Sequence, residues 1–162
     1  MTKIDAIFSQ ANSTLHNIPI HAQPMFQVGI DLCNLPEDDE GYKCMVVLVD
    51  YFTKFVIARA IKNKEAVTVA TFLYEEVYTK YGNPSIQIND QGREFVAEVS
   101  HRLHKLTGTE QRVTSAYHPQ ASFFLIQTSL VKLLSADYQK EWRKVLSGVI
   151  FAFNSAQYAS TK

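Results

Sequence analysis

The run Pro84-Ser-Ile-Gln-Ile-Asn-Asp-Gln-Gly-Arg-Glu-Phe95 places a strand, a carboxylate and a turn next to one another. Ile86 and Ile88 alternate with Ser85, Gln87 and Asn89, the period of a half-buried strand, and Gly92 supplies the turn before a helical pattern opens near Phe95. An acid at the carboxyl end of a strand in an α/β sheet lies where ligand and metal sites collect. Asp90 has that position; the competing reading makes it a turn residue or helix cap.

Upstream, Phe26, Val28 and Ile30 alternate with Gln27 and Gly29 and lead into Asp31, so a first strand also ends on a carboxylate. Leu35 to Gly41 reads as a solvated turn. Cys44–Val49 and Phe55–Ile61 follow as strands joined by the hairpin Asp50-Tyr-Phe-Thr-Lys54. From Asn63 the period becomes helical, with Val69, Phe72, Leu73 and Val77 on one face, until Gly82-Asn83-Pro84 ends it. After the strand bearing Asp90 come a helix through Val96, Val99, Leu103 and Leu106, a short strand at Gln111–Thr114, and the loop Ser115-Ala-Tyr-His-Pro-Gln120. The remainder is helical with an interruption at Ser135–Asp137. Its last helix carries Tyr138, Trp142, Val145, Leu146, Val149, Ile150 and Phe153 on one stripe.

Residues 1–25 read as a polar arm and 26–162 as one domain, a size and a 46% hydrophobic content that support a single proper core. Sixteen basic and sixteen acidic residues cancel, so no global basic field draws in nucleic acid and any such contact is local. No apolar run reaches the length of a membrane span. Cys33 and Cys44 read as free thiols without metal-ligand spacing, and His16 and His21 have no paired cysteines to make a zinc site. His101, Arg102, His104 and Lys105 form either a small basic patch or a solvated helix face.

Taken in order, Ile30-Asp31-Leu32, Val46-Val-Leu-Val-Asp-Tyr-Phe-Thr-Lys-Phe55, Tyr81-Gly-Asn-Pro84, Asp90-Gln-Gly-Arg-Glu-Phe95 and Tyr117-His-Pro-Gln120 resemble the catalytic core of a retroviral or Gypsy-type retrotransposon integrase. The resemblance implies an α/β, RNase H-like fold: a mixed five-stranded sheet with helices on both faces. It implies two Mg²⁺ or Mn²⁺ ions on a triad of two Asp and one Glu, cleaving and joining DNA strands. Asp31 and Asp90 match the first two acids, as catalytic residues and metal ligands. Tyr117, His118, Gln120, Gln127 and Lys132 match the DNA-facing region. Counting the family's spacing from Asp90 lands on Ile126, and no Glu or Asp lies between Ser115 and Leu134. An aliphatic side chain offers a cation no lone pair.

The expectation is therefore a degenerate, domesticated integrase core whose cation binding is weakened or lost. The family's zinc-binding and basic flanking domains are expected to be absent. DNA is a weak partner on this reading, a homodimer or a host protein the stronger one, and a nuclear location follows from the family alone. The alternative is a dimerising protein-interaction scaffold without DNA activity. The run Phe123-Phe-Leu-Ile126 reads as extra core packing or as an exposed patch for another protein.

Overall fold

A computed structural model describes residues 22–108, 113–115 and 121–160. Residues 1–21 of the expected 1–25 arm and the stretch holding Tyr117, His118 and Gln120 lie outside them. Five strands pair in the order β3-β2-β1-β4-β5: β1 (Gln27–Asn34), β2 (Cys44–Asp50), β3 (Val56–Ile61), β4 (Ile86–Asn89) and the short β5 (Val113–Ser115). The first three form an antiparallel meander, whereas β4 joins β1 in parallel and β5 joins β4 in parallel. The mixed sheet is consistent with the RNase H-like expectation.

Alternation along β1 and β2 divides the core in two. Val28, Ile30, Leu32, Val46 and Leu48 face α1 (Ala66–Phe72) and α2 (Arg93–Thr107), where Val69, Phe72, Val99 and Leu103 are fully covered. Cys33, Met45, Val47 and Val49 face the opposite way, toward α3 (Ala121–Leu133) and α4 (Trp142–Ser160). Helices therefore cover both faces, and β2, buried along its whole length, is apolar throughout until Asp50.

The expected terminators act where they stand. α1 runs on through a π-helical stretch (Leu73–Tyr78) and a last α-helical turn (Thr79–Tyr81) to Gly82 at φ +85°. Gly108 closes α2 at φ +70°, its N–H donating to the His104 carbonyl at 2.9 Å. Asp50 folds the hairpin by accepting from the Thr53 N–H (3.2 Å) and hydroxyl (2.6 Å), which lets a carboxylate remain 1% exposed.

Four expectations change. β1 continues through Asn34, so Asp31 lies inside a strand rather than at its end. Leu106 falls on the exposed side of α2, at 46%. The Leu35–Gly41 turn is docked rather than solvated: Asp38 pairs with Arg143 of α4, the Trp142 indole donates to the Pro36 carbonyl at 2.7 Å, and Arg143 stacks 4.3 Å from the Tyr42 ring centre. The helical interruption spans Leu134–Tyr138 as a π-helical stretch, and the backbone turns at Gln139, φ +44°.

Packing is closest at Gly29. A Cβ there would meet Tyr51 Cε1 at 2.8 Å and its hydroxyl oxygen at 2.9 Å, while one at Gly148 meets nothing within 4 Å. Gly29→Ala is expected to destabilise by about 1–3 kcal/mol through displacement of the buried ring. Gly148→Ala, inside α4, is expected to stabilise by roughly 0.5–1 kcal/mol. Urea unfolding of both variants checks the pair; equal shifts would mean that the Gly29–Tyr51 contact is slack.

Candidate active-site region

Asp31 and Asp90 meet through strand register. Ile30 pairs with Asn89 in the parallel β1–β4 ladder, which brings Asp31 beside the residue just past β4. Strand alternation sets Asp31 on the same face as Cys33, and Asp90 on that of Ile86 and Ile88, the face covered by α3. Asp90 is not the helix cap. Gly92 holds that position without a side-chain bond, and Asn89 Oδ1 closes the turn by accepting the Gln91 N–H at 2.8 Å.

Asp31 is 9% exposed and both its oxygens are engaged. Oδ1 accepts the Leu32 N–H at 2.7 Å, and Oδ2 accepts from Gln127 Nε2 of α3. Burial raises its carboxyl from the ordinary 3.8 to about 6; the Leu32 N–H opposes this, Asp90 adds to it by charge and hydrogen bonding, and Gln127 opposes it. Burial likewise pushes the neighbouring Cys33 thiol up to about 12, leaving it neutral and inert. Both cysteines are free and buried.

The position reached by family spacing and the residue that contacts Asp31 are neighbours on α3. Ile126, reached by counting, is 6% exposed within the apolar core with Ile88, Phe123 and Leu130. The residue that turns to Asp31 is Gln127. Of the apolar run before it, Phe123 and Ile126 are core and Phe124 is 57% exposed, so neither simple reading of that run holds for all of it.

The other expected residues stay apart. Lys132 is exposed in the last turn of α3, about 140° around the helix from Gln127. His101, Arg102, His104 and Lys105 line the outer face of α2, with Arg102 already paired to Glu98 at 2.7 Å. Glu94 is exposed in the first turn of that helix.

Residues 21–119 match the model of the integrase core domain, a span that includes both aspartates. The chain belongs to the integrase core domain family. The Gag-Pol polyprotein of baboon endogenous virus (strain M7) is 32% identical over 124 residues, which cover 73% of this chain and 7% of that protein. The Pol polyprotein of feline endogenous virus ECE1 is 32% identical over 124 residues, 73% of this chain and 12% of that one. The Pol polyprotein of radiation murine leukemia virus (strain Kaplan) is 33% identical over 119 residues, 70% of this chain and 20% of that one. The chain thus spans a fifth or less of the length of these curated relatives.

The divalent ions that the family implies need a crowded set of hard, anionic oxygens. This integrase core does not offer it: among the described residues no group of three or more His, Cys, Asp or Glu side chains comes together. Two carboxylates remain, and the third partner is a neutral amide presenting N–H. That donor set does not fit a two-ion centre.

The raised carboxyl has a sign that can be tested. In the folded state Asp31 holds its proton up to about pH 6 against 3.8 ordinarily, so its contribution is most favourable at low pH and is lost as pH rises through 6. Asp31→Asn removes the ionisation and is expected to stabilise at pH 7.5 by on the order of 1–3 kcal/mol relative to its effect at pH 4. Thermal unfolding at both pH values checks this; a pH-independent difference would show that burial does not raise the Asp31 carboxyl.

Proposed function

We propose that this chain is an integrase core from a long-terminal-repeat element, Gypsy-type or retroviral, that no longer transfers DNA strands and serves as a domesticated binding domain. One observation carries the reading: the Asp31–Asp90 pair is completed by the Gln127 amide rather than by a carboxylate. Among the described residues no third anionic ligand joins the two aspartates, and two carboxylates alone are a poor frame for both activating a hydroxyl and stabilising a leaving oxygen. Nuclear placement belongs to the same proposal.

What the domain binds is favoured by its surface. Net charge is zero, and the exposed cations of α2 are few, so DNA attraction is weak and steeply lost in salt. The α3–α4 side is apolar instead. A groove of about 570 Å³ runs between Leu130 and Leu133 on α3 and Val145, Val149 and Phe153 on α4, and Phe151 nearby on α4 is 75% exposed. This supports a protein partner, a second copy or a host protein, over nucleic acid. No helix among the described residues is long and apolar enough to cross a membrane.

The test is cleavage and joining of a labelled DNA duplex in Mg²⁺ and in Mn²⁺, with Asp90→Ala in parallel. Both proteins are expected to give only the background of a protein-free reaction. Turnover by the unaltered chain that Asp90→Ala abolishes would overturn the proposal.

A further inference from the structure

We infer that Gln127 is the side chain that closes this site to divalent cations, and that the closure is one residue deep. The inference rests on the proposed reading of an inert core and assigns the cause to one atom, Gln127 Nε2.

The geometry supports it in three ways. First, each oxygen of Asp31 already accepts a hydrogen bond, Oδ1 from the Leu32 N–H at 2.7 Å and Oδ2 from Gln127, which leaves a cation fewer lone pairs and less charge to draw on. A cation approaching Oδ2 competes with the Gln127 N–H, a hydrogen bond to a buried, charged acceptor and so among the stronger kinds. Second, the amide cannot simply turn over and become a ligand. Only its N–H end can face an ionised carboxylate oxygen. The edge of the site nearest a cation would therefore carry the positive end of a dipole.

Third, the backbone of α3 already directs the side chain at 127 to Asp31. Glutamate and glutamine have the same length and shape, so a carboxylate at 127 would reach Asp31 from the same helix turn without repacking. Ile126 offers no such route. It is 6% exposed among Ile88, Phe123 and Leu130, and a charge placed there would be buried without a partner. The two positions, adjacent in sequence, thus make opposite forecasts.

The experiment is Mn²⁺ titration by calorimetry, with melting temperature in Mn²⁺ and in chelator, on the full chain. Wild type is expected to show no saturable heat and no melting shift. Gln127→Glu is expected to bind Mn²⁺ roughly tenfold or more tightly than wild type, because ligand charge sets affinity at such sites. That variant should melt higher with Mn²⁺ than in chelator, and adding Asp90→Asn should remove both effects. Ile126→Glu is expected to melt far below wild type and to gain no binding. Should Gln127→Glu fail to fold in chelator, Gln127→Ala carries the test: it frees Oδ2 of Asp31 and is expected to bind Mn²⁺ more weakly than the glutamate variant yet measurably above wild type.

Wild type that binds Mn²⁺ as tightly as Gln127→Glu would overturn the inference, as would folded Glu and Ala variants that titrate like wild type. Neither result by itself shows strand transfer, which only the DNA assay reads. DNA joining by wild type would sink the inert reading instead, whatever the titrations give.

Discussion

A carboxylate in the middle of the central strand is the constraint on which the rest of this molecule depends. Asp31 has β2 on one side and β4 on the other, and a helix overhead, so water reaches little of it. Such a group must find partners within the fold or stay protonated. The backbone supplies one partner at Leu32. The parallel β1–β4 register brings up a second acid, which worsens the problem rather than easing it. The remaining answer comes from α3, and α3 reaches Asp31 with Gln127 because Phe123, Ile126, Leu130 and Leu134 fix which way that helical segment faces.

The position of α3 is itself held from further away. The chain leaves it through the turn at Gln139 and returns as α4, whose first residues are locked by Trp142 to Pro36 and by Arg143 to Asp38. Near its other end, Asn154 pairs with Val56 like an added strand residue, accepting its N–H at 2.8 Å and donating to its carbonyl at 2.9 Å. That satisfies part of the exposed edge of β3 and pins α4 across the sheet. The loop after β1 and the edge strand thereby share one helix, and the α3–α4 unit cannot slide without breaking contacts at both. A side chain on α3 is accordingly positioned to within a hydrogen bond of β1.

Much of this was legible in the residues. Alternation announced β1 and β4, the hairpin residues announced the meander, and Gly82 and Gly108 ended helices where their backbone freedom is used. Asp31 and Asp90 were readable as a pair because both followed strand patterns. Which residue of α3 touches Asp31 is set by helical period rather than by spacing across the loop. Phe123, Ile126, Leu130 and Leu134 recur at three and four residues, which already assigns Ile126 to the core and its neighbour to the flank. The docking of Asp38 was not legible at all. Its partner Arg143 lies 105 residues away, and nothing local distinguishes an acid in a solvated turn from one that meets an arginine across the fold.

The same contacts explain how the fold persists with its acidic pair intact. A cluster of three carboxylates around a buried strand is self-repelling unless a cation binds or a carboxyl keeps its proton. An amide reaching Asp31 from α3 adds no charge and donates to Oδ2, so the described cluster holds two carboxyl groups rather than three. The site then requires no ion in order to fold. Both aspartates can remain, because the strand register and the packing of Ile88 and Cys33 that surround them are intact. On this argument the family signature in β1 and β4 reports the architecture of the sheet, whereas the chemistry is decided on α3, beyond the residues that match the family model. Two well-matched acids therefore identify the fold far more securely than they identify an enzyme.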